Sequence, residues 1–289
     1  MEVDILISNA FIVPMTKRGV VLRRHSIAIR DGRVVQVGPS SEVDKDVKAS
    51  EVIDARGCVA LPGFVNTHVH LYQNLLKGTI DDLPLVEWNN RLLVPISRAI
   101  RDYRLRRFYD PDYYVTLLAV IEMVKSGTTT FNCLDGLTPA IPKAVGDSGV
   151  RAVYSPVMVD RWLPEDLLLP LEVQVRAVKS FIRKYMNAYN GRLKFMVGPT
   201  TVFTSTEDLL RESMNIAREL DVGIHMHVNE TRYEVEWAQK NLGMRVIEYL
   251  DSIKMLSSRF LAVHCVWCSD EELEVIRVRG AHVSHNPES

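Results

Sequence analysis

Short apolar segments alternate with longer helical segments from residue 59 to the end of the chain. Seven segments have the length and apolar character of buried strands: 59–66, 127–132, 151–157, 193–198, 222–228, 260–264 and 281–285. This alternation is typical of a parallel sheet whose strands are joined by helical crossovers. The fold class predicted from it is α/β.

The strands that end in histidine favour a barrel over an open sheet. His68 and His70 lie at the end of the first strand, His227 ends the fifth and His264 ends the sixth. In a (β/α)8 TIM-type barrel the carboxyl ends of all strands meet at one mouth, whereas an open sheet would bring these residues together less readily. We therefore predict a TIM-type barrel, here lacking its last βα unit.

Residues 1–58 show a different pattern, with short strands separated by polar turns. Asp31-Gly32 is a hairpin-turn signal between two of these strand-like segments. The sequence therefore predicts an all-β module over residues 1–58, followed by the barrel domain over residues 59–289.

The composition excludes several classes of protein. With 289 residues, 47% of them hydrophobic, the chain can bury a large core. Its formal charge is −1 and it has no basic block, which argues against a nucleic-acid partner. The acidic start of the chain lacks the positive charge of a secretory signal, and no apolar run reaches membrane-spanning length. Four cysteines do not support a disulfide framework in a chain of this size. We expect a cytoplasmic protein without a membrane partner.

The histidine pattern predicts a metal site. Two histidines at i and i+2 on a strand project from the same face, so His68 and His70 can reach one ion, with His227 as a third ligand. Three neutral imidazoles with an open position form a catalytic zinc arrangement that ferrous iron also accepts. Such a metal lowers the pKa of bound water to about 7. Glu230 could then transfer protons, and His264 could either ligate the metal or polarise the attacking water.

Five stretches resemble the amidohydrolase superfamily in order and spacing: residues 61–70, 81–88, 225–231, 263–265 and 284–289. The resemblance is closest to the branch that contains S-adenosylhomocysteine and methylthioadenosine deaminases, chlorotriazine hydrolases and guanine-type deaminases. It covers the whole chain.

The resemblance implies roles for individual residues. His68, His70 and His227 would hold one divalent metal, zinc before ferrous iron, Glu230 would be the proton shuttle at a ring nitrogen, and His264 would orient the hydrolytic water. The implied reaction removes an exocyclic amino group, or less often chloride, from an aromatic nitrogen heterocycle. Adenosine-derived thioethers are the first choice of substrate, and a homodimer or homotetramer is the expected assembly.

The resemblance also points to substrate contacts. Glu87 and Trp88 are expected to bind substrate because related deaminases hold ribose hydroxyls with a glutamate here. The alternative is that Glu87 is a carboxylate at the start of a helix and Trp88 is an aromatic residue of the core. Gln73 and His285 are the other expected contacts. Related thioether deaminases carry a histidine where this chain has Thr200, and its threonine-rich loop is more similar to some triazine- or pterin-type relatives. A triazine-, guanine- or pterin-type ring is the alternative substrate.

Two further expectations concern the rest of the family pattern. Relatives with two metals bridge them with a modified lysine at the carboxyl end of strand four, whereas Lys194 begins that strand, so one metal is expected.

The family's last ligand and general base is an aspartate that ends strand eight, and its N-terminal module is half of a composite β-sandwich completed after the barrel. Both would lie beyond Ser289, so we expect a piece of a longer chain. A catalytically silent scaffold is the alternative function.

Overall fold

The computed structural model describes residues 1–106 and 111–286, which form two compact units, Met1–Phe64 and Val65–Ser289. Residues 287–289, the end of the last motif of the sequence resemblance, lie outside the described residues. The predicted fold class is confirmed, since a barrel-forming parallel sheet follows a separate N-terminal sheet.

The first unit is built on a five-stranded mixed sheet. Its strands are β1 (Glu2–Ile12), β2 (Leu22–Arg30), β3 (Arg33–Pro39), β4 (Lys48–Asp54) and β5 (Val59–Ala60). β1, β2 and β3 are antiparallel neighbours, whereas β4 and β5 both pair with β1 in parallel. Asp31 and Gly32 both have positive φ, 54° and 67°, as a two-residue turn between β2 and β3 requires. The predicted hairpin is therefore present.

The first unit also contains a helix, α1 (Ser40–Asp46), so the prediction of an all-β module was wrong. Val43 on this helix is 1% exposed and packs on the sheet. The Asp44 carboxylate accepts hydrogen bonds from the hydroxyls of Ser8 and Ser26 at 2.5 and 2.6 Å. A seven-residue helix that buries one apolar side chain leaves too little periodicity to be read from sequence.

The second unit is a nearly closed barrel of seven parallel strands. They are β6 (Phe64–Val69), β7 (Thr128–Asp135), β8 (Arg151–Met158), β9 (Leu193–Pro199), β10 (Gly223–Val228), β11 (Phe260–His264) and β12 (His282–Ser284), each beside the next in chain order. The hydroxyls of Thr67 and Ser284 lie 2.6 Å apart and join the first barrel strand to the last. The carboxyl ends of the strands therefore surround one mouth, as in a TIM-type barrel.

The first predicted barrel strand, 59–66, is two strands in the structure. β5 belongs to the N-terminal sheet and β6 to the barrel, with Pro62 and Gly63 between them. Proline has no amide hydrogen for a strand ladder, which explains the break. His68 lies in β6 and His70 directly follows it.

Helices connect the barrel strands. They are α2 (Leu85–Trp88), α3 (Val94–Arg106), α4 (Pro111–Lys125), α5 (Ala140–Ser148), α6 (Leu171–Tyr185), α7 (Ala188–Gly191), α8 (Glu207–Glu219), α9 (Arg232–Leu242), α10 (Val246–Ser252) and α11 (Asp270–Arg279). The hydroxyls of Thr206, Thr231 and Ser269 cap the amino ends of α8, α9 and α11. Within the described residues, no helix combines the length and apolar character needed to cross a bilayer.

Candidate metal centre and active site

A cavity of about 600 Å³ opens among the barrel residues. Its polar lining includes His68, His70, His227, Glu230 and His264, so all five residues predicted as metal ligands or catalytic groups border one space. Its apolar lining includes Leu85, Trp88, Leu93, Val94, Trp162 and Phe203. The volume is within the range of small-molecule sites in proteins.

Two of the three candidate ligands are held by residues of other barrel strands. The Nδ1 of His70 lies 2.5 Å from the carbonyl oxygen of Leu134 at the end of β7. The Nδ1 of His68 lies 2.9 Å from the Nε2 of His225, whose own Nδ1 lies 2.9 Å from the Ser155 hydroxyl. His225, one layer below His227 on β10, therefore orients a ligand candidate from the opposite side of the barrel.

The third candidate is held in the same way, because the Nδ1 of His227 lies 2.9 Å from the carbonyl oxygen of Thr200. A carbonyl can only accept a hydrogen bond, so the Nδ1 atoms of both His70 and His227 carry the proton, and each neutral ring leaves a lone pair on Nε2. Burial lowers the pKa of His70 to about 4, and it lowers the pKa of His68 and His227 as well, which keeps these rings neutral near pH 7.

The two Nε2 atoms of His70 and His227 face each other at 3.1 Å. Two lone pairs at this distance repel each other unless a cation lies between them. Together with His68 they offer three nitrogen atoms, all within 4.8 Å of one another, that could hold a metal ion. Three neutral imidazoles whose other nitrogens are already hydrogen-bonded are a donor set that fits a divalent transition metal.

Glu230 and His264 lie beside these histidines. Asn229, with φ of 49°, turns the chain after β10 and brings Glu230 over the mouth, where its Oε1 is 3.7 Å from the His264 Nε2. Burial raises the pKa of Glu230 to about 7 and lowers that of His264 to about 4. The His264 ring stacks on that of His227, with centroids 5.4 Å apart. Near neutral pH, Glu230 can therefore exist in both protonated and ionised forms, as proton transfer requires.

The predicted substrate contacts divide into two groups. Gln73 and Trp88 line the cavity. Glu87 is exposed instead and forms an ion pair with Arg91 at 3.1 Å. His285 is also exposed, and its Nδ1 lies 3.2 Å from the carbonyl oxygen of His264.

Two other residues bear on the sequence predictions, one at the mouth and one at the opposite end of the barrel. Asn286 lines the cavity, although sequence reasoning selected its neighbour in the same motif. Lys194 is exposed near the start of β9, where its amino group contacts Asn187. Its position is the opposite end of the strand from Thr200, as expected from the sequence.

Sequence reasoning missed Asp135, which lines the cavity and is 3% exposed. Burial raises the pKa of its carboxyl to about 7. The predicted second strand stopped at residue 132, whereas β7 continues to Asp135. A carboxylate at the carboxyl end of a barrel strand is the signal that a longer strand assignment would have found.

Comparison of the sequence with known protein families assigns the family. Residues 59–289 match the model of the Amidohydrolase family. The chain belongs to the amidohydrolase family. This amidohydrolase is 34% identical, over 98% of its length, to a 5'-deoxyadenosine deaminase from Methanosarcina mazei, and 34% identical, over 99%, to a 5-methylthioadenosine/S-adenosylhomocysteine deaminase from Desulforudis audaxviator. It spans 62% and 63% of the length of these two relatives.

A solved structure agrees with this assignment. The amidohydrolase superimposes with a TM-score of 0.90 on an adenosine deaminase from Xanthomonas campestris with bound zinc, at 25% sequence identity. The match covers 99% of this chain and 63% of the other. The family predicted from the sequence motifs is confirmed.

Proposed function

We propose that this amidohydrolase is a metal-dependent hydrolytic deaminase that removes the exocyclic amino group of a nitrogen heterocycle. The single observation that carries the proposal is the pair of Nε2 atoms of His70 and His227, which face each other 3.1 Å apart beside a cavity of about 600 Å³. The names of the curated relatives favour a 5'-modified adenosine, namely 5'-deoxyadenosine, 5'-methylthioadenosine or S-adenosylhomocysteine, as substrate.

The metal in this proposal is one divalent ion, zinc before ferrous iron, held by His68, His70 and His227. When bound, such an ion would supply a water molecule whose pKa is lowered to about 7. The hydrogen bonds of the three Nδ1 atoms support this role, since they fix the orientation of each ring before an ion arrives.

Glu230 is the proposed proton shuttle. Its pKa of about 7 lets the carboxylate take a proton from the attacking water and then deliver it to the ring nitrogen of the substrate. The hydroxyl group that the attack leaves on the ring carbon then gives its proton through Glu230 to the exocyclic amino group, which leaves as ammonia as the C–N bond breaks and the C=O bond forms. His264, 3.7 Å away, orients the water with its neutral ring.

The rest of the cavity would bind the remainder of the substrate. Trp88, Leu93 and Val94 provide apolar lining, suited to a flat ring or an uncharged 5' substituent. Gln73 offers a polar group at the same space. Contacts from Glu87 and His285 remain predictions, as do the homodimer or homotetramer and the cytoplasmic location.

Metal analysis and ammonia release test the proposal together. We expect about one zinc or iron per chain in purified full-length protein, and ammonia from 5'-deoxyadenosine or 5'-methylthioadenosine. Release from a triazine, guanine or pterin alone would keep the reaction class and replace the substrate. A folded protein that contains no metal and releases no ammonia from any of these compounds would favour the scaffold alternative.

A further inference from the structure

The end of β7 holds the chain around His70 in two places. The carbonyl oxygen of Leu134 accepts the Nδ1 proton of His70 at 2.5 Å. The next residue, Asp135, accepts the backbone N–H of Leu71 with its Oδ2 at 3.0 Å. Adjacent residues of one strand therefore fix both the ring of His70 and the backbone that follows it.

Burial of the Asp135 carboxyl group lowers the stability of the fold, so a purely structural contact does not explain this residue well. It is 3% exposed, and its Oδ1 has no hydrogen-bond partner within residues 1–106 and 111–286. A buried carboxyl group loses its hydration, and hydrogen bonds to one of its oxygens offset only part of that loss. The residue is thus better explained by what its Oδ2 holds in place than by a contribution to folding stability.

We propose that Asp135 is a positioning residue that holds His70 in the geometry needed to bind the metal, an inference that rests on the proposed metal centre. Leu71 begins the 3-10 turn Leu71–Leu76, and its amide has no partner inside that turn. Without an acceptor at Asp135, the turn can shift and carry the His70 Nε2 away from the His227 Nε2. Residues that orient metal ligands in this way typically change metal affinity by about 10- to 100-fold.

The test measures zinc affinity rather than catalysis. The metal-free chain, with zinc alone as the probe, competes against a chromogenic chelator in four forms: wild type, Asp135→Ala, Asp135→Asn and Phe131→Leu. Asparagine keeps an oxygen that can accept the Leu71 N–H. Phe131, 2% exposed on the same strand, serves as a control for a loss of packing that leaves Asp135 intact.

We expect Asp135→Ala to weaken zinc binding by about tenfold or more, whereas Asp135→Asn stays within about threefold of wild type. Phe131→Leu should lower the melting temperature of the metal-free protein and leave zinc affinity unchanged. If Asp135→Ala does not fold, Asp135→Ser, whose side chain is one atom shorter, carries the same expectation.

Three results would contradict different parts of the proposal. Wild-type affinity in Asp135→Ala, or in its serine replacement, would overturn the positioning role while leaving the metal centre intact. Equal weakening in Asp135→Asn and Asp135→Ala would overturn the hydrogen-bond mechanism, because the charge would then be the property that matters. A wild-type chain that binds no zinc would instead reject the proposed metal centre itself.

Discussion

The Glu230 carboxylate and the His264 imidazole are neighbours across the ends of two adjacent strands, with Oε1 and Nε2 3.7 Å apart. The loops that carry them are joined by backbone hydrogen bonds, from the Cys265 amide to the Val228 carbonyl and from the Trp267 amide to the Asn229 carbonyl, both 2.9 Å. The backbone segments that carry the groups assigned to proton transfer and water orientation are therefore directly linked to each other.

Glu230→Gln should abolish proton transfer while preserving the shape of the side chain. We expect kcat/KM for ammonia release to fall by about 10²-fold or more, with zinc affinity unchanged. Glu236→Gln is the control, since Glu236 is exposed on the following helix and its carboxylate forms an ion pair with Arg232. Activity within threefold of wild type in Glu230→Gln would remove Glu230 from the mechanism.

The contribution of Glu230 to the stability of the metal-free protein should fall as pH rises. Burial raises its pKa from 4.5 to about 7, so the folded state holds the proton more tightly than the unfolded state does. The stabilising contribution is complete below about pH 4.5 and is lost as pH rises through about 7, at up to ~1.4 kcal/mol per pH unit. Urea unfolding of chelator-treated wild type and Glu230→Gln across pH 5 to 8 measures it. A stability difference between them that does not change with pH would contradict the assignment.

Zinc should stabilise the protein through the three histidines. At a zinc concentration about 100 times Kd, the expected gain in unfolding free energy is about 2.7 kcal/mol. His227→Ala should lose most of this gain, because two remaining ligands bind the ion weakly. His282→Ala is the matched control, since His282 is exposed on β12. Thermal melts with and without zinc provide the measurement, and equal zinc responses in the two variants would refute the ligand assignment.

Glu234 should influence Glu230 through the backbone. Its buried carboxylate accepts the Glu230 N–H at 3.1 Å. Removal of this acceptor in Glu234→Ala should displace Glu230 and lower kcat by about tenfold to a hundredfold, with little change in zinc affinity. Glu234→Gln retains an acceptor and should recover most of the rate. The idea fails if the glutamine and alanine variants are equally slow.

Gly198 should not tolerate a larger residue. A Cβ atom at this position would lie 2.6 Å from the Leu134 Cδ1 and 2.8 Å from the Pro156 carbonyl oxygen. Gly198→Ala should therefore cost about 1–3 kcal/mol in unfolding free energy. Gly136→Ala is the control, since a Cβ there meets no atom of the described residues within 4 Å. Urea titration compares the two, and equal midpoints would contradict the expected steric conflict.

Local sequence patterns predicted the barrel and most of its mouth. The apolar strand segments and the histidines at their ends needed no long-range information, because strand polarity alone sends them to one side. The hydrogen-bond partners of those histidines were not predicted from local patterns. His225 contacts His68 across 157 positions of sequence, and Leu134 contacts His70 across 64. Such contacts depend on which strands are neighbours and on their register, which a single sequence does not encode locally.

The cavity wall formed by Trp88, Leu93 and Val94 comes from the segment between β6 and β7, whereas His227, Glu230 and His264 come from the ends of β10 and β11. In the proposed function, the apolar side chains that would contact the substrate and the groups assigned to proton transfer and water orientation are thus encoded in separate stretches of the chain. Divergence in the first stretch can change what enters the cavity without disturbing the residues that react. A lineage built on this barrel can therefore acquire new substrates by small steps.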